Sequence, residues 1–323
     1  MTKLSPVLQS ELKLLVQLRT ISRYSILFGT FISIPLGFFF PSEILWQVVL
    51  ALVALAIGTP HGAVDHLVTV PRFKLARMTL FIAGYLAVTG LAIWFLFANN
   101  VLGFQLIVLI SAIHFGIGDA SFISEIDKRK AVSGFPRISY ALAAGFTPVF
   151  LPLVSSESSQ ALQAVNGNLV GWAAGFEAQI FWAVLTLNFV AMSVMALRRR
   201  WSEVLDLLLL LAISLIAPPL VAFAFYFGLW HALRHTGRLT LELESSRRAH
   251  ELGDTRASFF RAFNAGLPAL ALVLVFTAAL GYFTGFTLPA DYLWLLLVVI
   301  WALTVPHMAL TARLDFRAMG IKL

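Results

Sequence analysis

The sequence predicts an all-α polytopic membrane protein: an integral helix bundle of about 8 to 10 transmembrane helices, with N- and C-termini cytoplasmic. Three observations predict it. Of 323 residues, 59% are apolar and only 12% are charged, whereas a soluble globular chain has about 45–50% and about 25%. Apolar runs of about 18 residues or more, long enough to cross a hydrocarbon core of about 30 Å as helices, recur along the chain. The basic residues gather in alternate loops, as short cytoplasmic loops require. A helix is also the element that satisfies its own backbone hydrogen bonds where lipid cannot.

Bounded by charge or by Pro, Gly and Asn clusters, the spans fall near residues 22–40, 44–67, 78–97, 101–123 and 137–153. The second half continues with 178–197, 203–217, 219–237, 266–285 and 291–311, which makes ten. The first run follows Lys3, Lys13, Arg19 and Arg23 but carries no small-residue cleavage site, so it reads as an uncleaved span rather than a secretory signal. Residues 1–21 form a cytoplasmic N-terminal segment. With ten spans, the later cytoplasmic segments hold Arg72, Lys74 and Arg77, then Lys128, Arg129, Lys130 and Arg137, then Arg198, Arg199 and Arg200. The loop 238–263 and the C-terminal tail complete that side. All 23 basic residues thus lie on one side, while the external loops show Glu43, Glu157, Glu177 and Asp291.

Two stretches depart from simple crossing. The run 203–217 is only roughly 22 Å long at 1.5 Å per residue before Pro218 and Pro219 break it, which fits a re-entrant hairpin with its successor. Residues 154–177 are polar, then amphipathic, and suit the external interface. No internal repeat divides the chain, so residues 1–323 read as a single membrane domain. The absence of cysteine excludes disulfides, thiolate metal sites and iron–sulfur clusters. The net charge of +7 is one-sided loop charge and implies no nucleic-acid partner.

Six of the seven histidines lie in or at the ends of apolar spans: His61, His66, His114, His231, His235 and His307. Ionisable residues at membrane depth are expensive and point to function. These sit on spans two, four, eight and ten, all toward the cytoplasmic end, so distant segments deliver imidazole to a similar depth within one bundle. In Trp230-His231-Ala232-Leu233-Arg234-His235 the two histidines are four apart and share a helix face, as two ligands of one metal would. His61 follows Gly58-Thr59-Pro60, and Asp65 shares its face if helix resumes, so Asp65 is placed to orient an imidazole. His66 is rotated away by about 140° and reads as interfacial. His114 stands among Gly116 and Gly118, which permit close helix approach, with Asp119 nearby. His307 follows Pro306 and has three readings, a fifth ligand, a second-shell group or a pocket residue, of which the last two are favoured; Asp65, Asp119, His66 and Trp230 are placed in the second shell or the pocket with it. His250 lies in the charged loop and is expected to be solvated. An all-imidazole set suits Fe, Cu, Zn or Ni. A two-iron desaturase or hydroxylase, a b-type haem protein and a metal or ion transporter remain open on residue chemistry alone.

The motifs Gly58-Thr59-Pro60-His61-Gly62-Ala63-Val64-Asp65, His114-Phe115-Gly116 with Asp119, His231 with His235, and Val305-Pro306-His307-Met308 occur in this order on these spans. In this the chain resembles the Brp/Blh family over roughly residues 45–315. That resemblance implies a β-carotene 15,15′-dioxygenase that splits the central double bond of β-carotene or a related carotenoid with O2 to give two retinal. It implies Fe(2+) held by His61, His114, His231 and His235. It further implies multi-pass residence in the cell (inner or plasma) membrane, substrate drawn from the lipid bilayer, and a microbial rhodopsin as retinal acceptor.

Overall fold

The computed structural model describes residues 5–40, 43–64, 67–68 and 75–320. Asp65, His66, Arg72 and Lys74 lie outside the described residues. Among the described residues every regular element is helical.

Helix α1 (Pro6–Phe39) is capped by Ser5, whose hydroxyl accepts from the Leu8 amide at 3.4 Å, and has proline in its first turn, both natural starts for a helix. It begins well before residue 22 because its polar first turns find partners within the protein rather than water. Arg129 pairs with Glu11 at 2.6 Å, and Arg19 reaches Glu203 at 2.7 Å and Asp206 at 2.8 Å. Helix α2 (Ile44–Gly58) tightens into a 3-10 turn over Thr59–Val64, where Pro60 withholds an amide and ends regular helix. Then come α3 (Leu75–Ala98), α4 (Asn100–Lys130) and α5 (Arg137–Leu153).

Helix α6 (Ser158–Val165) turns 85° away from α5. It begins the stretch expected along the external interface. Helices α7 (Glu177–Leu197) and α8 (Trp201–Ile216) follow. After Pro218 the chain runs through α9 (Pro219–Tyr226), a π turn over Phe227–His231 and α10 (Ala232–Leu239). Helix α11 (Glu244–Glu251) lies in the charged loop, and α12 (Thr255–Phe283) and α13 (Pro289–Ala318) complete the bundle.

Among the described residues, seven helices are long and apolar enough to cross a membrane, or eight if α5 and α6 count as one bent span. The difference from ten has a physical cause. Prolines stop α8 at 16 residues, roughly 24 Å of helix against a core of about 30 Å. The run after it is interrupted by the π turn. Large apolar side chains such as Phe38, Leu75 and Phe283 are about four-fifths exposed on the outer faces, as lipid-facing residues are. Inside, α4 and α5 approach backbone to backbone. A Cβ on Gly116 would lie 1.9 Å from the Ala141 carbonyl oxygen, and one on Gly145 would lie 1.9 Å from that of Ala112.

One end of the bundle is a buried ionic layer. Arg23 meets Asp206 at 2.6 Å, Arg200 meets Asp127 at 2.8 Å, and Arg238 meets Asp315 at 2.5 Å. These pairs tie the middle of α1 to α8, and join the ends of α4, α8, α10 and α13 that the loop charges had assigned to one side. His250 belongs to this end, and its expected solvation is corrected. It is fully buried, with Nδ1 3.1 Å from Ser10 Oγ and Nε2 3.0 Å from Thr240 Oγ1. The cause is that α11 turns Ser246, Ala249 and His250 inward as one face. Burial lowers the His250 pKa from its ordinary value; Glu11 opposes the shift and Arg129 adds to it.

Candidate metal centre

Four separate stretches of chain carry imidazoles to one place. The 3-10 turn after α2 presents His61, α4 presents His114, the π turn and α10 present His231 and His235, and α13 presents His307. The His61 ring centroid lies 5.5 Å from His231, 5.0 Å from His235 and 5.5 Å from His307. His114 lies 5.3 Å from His231, 6.2 Å from His235 and 5.2 Å from His307. All five are buried. His307, expected in the second shell or the pocket wall, is as close to the others as they are to one another.

Local structure explains the placement. His61 Nδ1–H donates to the Gly58 carbonyl oxygen, which fixes the ring and leaves Nε2 with its lone pair. Close approach of α12 to that turn depends on Gly266, where a Cβ would sit 2.0 Å from the Pro60 carbonyl oxygen. The π turn admits one extra residue, as such turns do at functional sites. Trp230 and Asp119 do not line the cavity. The Trp230 indole N–H donates to Asp119 Oδ2 at 2.6 Å, and the Arg234 guanidinium lies 3.4 Å over the indole ring. Asp119 therefore fixes the helix that bears His231 and His235 through Trp230, with no hydrogen bond from it to an imidazole among the described residues. Sequence reasoning missed Arg234 and Asp206, which stand 3.7 Å apart in the buried ionic layer. A buried arginine between two histidines was the available signal.

Two observations test whether these residues fit a metal. The Nε2 atoms of His114 and His231 and both ring nitrogens of His235 are buried without a hydrogen-bond partner among the described residues. Each such orphan costs about 1–3 kcal/mol, a cost that coordination would remove. With metal–nitrogen bonds of about 2.1 Å, imidazole centroids stand about 4.5 Å apart at right angles and about 6.4 Å apart when opposed. The eight ring contacts among the five, 5.0–6.2 Å, fall between, each wider than a right-angled pair. Against this, no group of three or more His, Cys, Asp or Glu among the described residues is arranged to hold an ion as it stands. The helices set the centroids, whereas ring twist about χ2 is soft. The residues therefore fit an imidazole-held metal in number and type, with the rings standing slightly wide of the closed arrangement.

Above the cluster lies a cavity of about 480 Å³. His61, His114 and His307 form its polar floor, and its walls are apolar, with Phe104, Phe115, Phe223 and Trp301 among them. Leu162, Val165 and Leu169, from α6 and the turn after it, also line it. Leu86 and Leu272 line the cavity while remaining 60% and 68% exposed, so it opens sideways between α3 and α12.

The family model described as "Beta-carotene 15,15'-dioxygenase" matches residues 52–315. The chain is 28% identical over 299 residues to the Halobacterium salinarum protein named "Probable beta-carotene 15,15'-dioxygenase Blh", covering 83% of this chain and 84% of that protein. It is 31% identical over 198 residues to the "Beta-carotene 15,15'-dioxygenase" of uncultured marine bacterium 66A03, covering 58% of this chain and 66% of that protein. No solved structure matches it.

Proposed function

The chain belongs to the β-carotene 15,15′-dioxygenase family, and on that premise we propose that it cleaves the central double bond of β-carotene with O2 to give two retinal. One double bond and one O2 become two aldehydes, so both oxygen atoms end in product and no reductant is consumed. The observation that carries this reading is the convergence of buried imidazoles on the floor of an apolar cavity open to the side. His61, His114, His231 and His235 would hold ferrous iron, which supplies oxygen activation when bound. Imidazole ligands alone also suit other metals; dioxygenase chemistry is what selects iron here.

The chain's own part is positional. Apolar walls take a polyene that water does not dissolve, hold its middle over the imidazole floor and exclude water. Among the described residues no carboxylate borders the cavity, and cleavage to two aldehydes calls for no general acid or base. Residence in the cell membrane and transfer of retinal to a microbial rhodopsin belong to the same proposal. The test is expression in cells that accumulate β-carotene. Colour should fade as retinal forms, and His231→Ala or His235→Ala should leave the cells orange. Full cleavage by either variant refutes the ligand assignment.

A further inference from the structure

The imidazoles form a definite figure. By ring centroids, His61, His231, His114 and His307 close a four-sided base with sides of 5.5, 5.3, 5.2 and 5.5 Å. Across it His61 opposes His114 and His231 opposes His307, and neither diagonal pair is in ring contact. His235 stands over this base, 5.0 Å from His61, 5.8 Å from His307, 5.9 Å from His231 and 6.2 Å from His114. A base of four with one apex has the connectivity of a square pyramid, and its sides are about 0.7–1.0 Å longer than a right-angled pair on one ion would show, so the rings must draw inward to share a metal. Four rings at the corners of a tetrahedron would be equally spaced, and without His307 the base lacks a corner. The face of the pyramid away from His235 is open. His61, His114 and His307 line the cavity, whereas His231 and His235 do not, so the open face looks toward it.

We propose that His307 is a fifth imidazole of the metal centre, at the corner opposite His231, and that the one open position lies opposite His235 on the cavity side. This rests on the metal-centre reading above. It also bears on metal choice. Zinc is almost always four-coordinate and tetrahedral in protein sites, so a base of four imidazoles disfavours zinc and suits an ion that accepts octahedral geometry. Five neutral ligands leave the full divalent charge facing the open position, which has room for one small ligand.

The experiment uses the full chain purified in detergent and loaded anaerobically with ferrous iron or, separately, cobalt(II). Metal per chain, affinity and the X-ray absorption spectrum are compared for the wild type, His307→Ala, His307→Gln and His231→Ala. The proposal expects about five imidazoles around the wild-type ion, and one fewer, with affinity lower by about tenfold or more, in both His307 variants. Free imidazole should restore affinity to His307→Ala. If the His307 variants hold metal as tightly as the wild type with an unchanged spectrum while His231→Ala loses it, His307 is no ligand and the proposal falls alone. A wild-type chain that holds no transition metal overturns both this proposal and the reading beneath it.

Discussion

Trp230 ties the histidine helix to the rest of the bundle through one hydrogen bond. Replacing it by Phe keeps the ring under Arg234 but removes the indole N–H that reaches Asp119 at 2.6 Å. Because the carboxylate is fully buried, losing that donor should cost about 1–3 kcal/mol. A lower unfolding midpoint in detergent, with weakened metal retention as the π turn loosens, is the expected outcome. His250 offers a second test at this scale. Its folded pKa lies below the unfolded value, so the unfolded chain binds more protons as pH falls through the ordinary histidine range. Stability should be full above about pH 6.5 and decline below it. His250→Gln, which retains polar atoms for Ser10 and Thr240, should flatten that decline; an unchanged acid limb would assign it to other groups. Both residues show what the sequence conveys. Trp230 was legible as a site neighbour from its place beside His231, but its partner 111 positions away was not. His250 was misjudged from the charge around it, because Ser246, Ala249 and His250 share one helical face but only Ala249 is apolar, so no apolar stripe announced their burial.

Helix packing brings His114 to the cluster, and the contact between α4 and α5 has no room for a side chain. Gly116→Ala would put a methyl 1.9 Å from the Ala141 carbonyl oxygen, and backbone cannot rotate away as a side chain can. The helices must separate, which moves His114 from its neighbours. Metal binding and cleavage should fall together, with destabilisation of about 1–3 kcal/mol or more. Gly84 and Gly90 on α3 are the internal control, because no described residue lies within 4 Å of a Cβ there. Alanine at either should be neutral or stabilise by up to about 1 kcal/mol. Equal damage from Gly116→Ala and Gly84→Ala would remove close packing as the cause. Hydropathy located these helices well because lipid-facing sides are apolar whatever the packing. It marked ten apolar runs where, among the described residues, seven helices are long and apolar enough to cross, or eight with the bent pair, since it sees apolar runs but not the bend after Leu153 or the stop before Pro218. Which helix faces meet, and therefore that α13 turns His307 inward, depends on contacts between residues far apart in sequence.

For the whole molecule, the imidazole floor, the apolar chamber and the sideways mouth form one path from lipid to the imidazoles. The chamber's mouth is bounded by Ile82 and Leu86 from α3 and by Ala269, Leu272 and Val273 from α12. These two helices are among the least buried of the spans, with only 11% of each apolar window buried. Substrate dissolved in the bilayer meets this mouth without crossing water, whereas the basic end of the bundle is sealed by ion pairs. Ala269→Trp adds bulk at the mouth on α12, a helix that carries none of the five clustered imidazoles, and replaces a partly buried methyl by a ring that lipid accepts. Metal per chain and its spectrum should therefore stay at wild-type values. Cleavage of β-carotene supplied in vesicles should fall by about tenfold or more, since a substrate held short of its reacting position loses that much or more. A shorter apocarotenal that still contains the central bond needs to thread less chain past the ring and should be spared. Chromatographic product analysis with both substrates reads the difference. Equal loss for the two would mean that the introduced indole disturbs the floor itself, and no loss for either would mean that the polyene enters elsewhere.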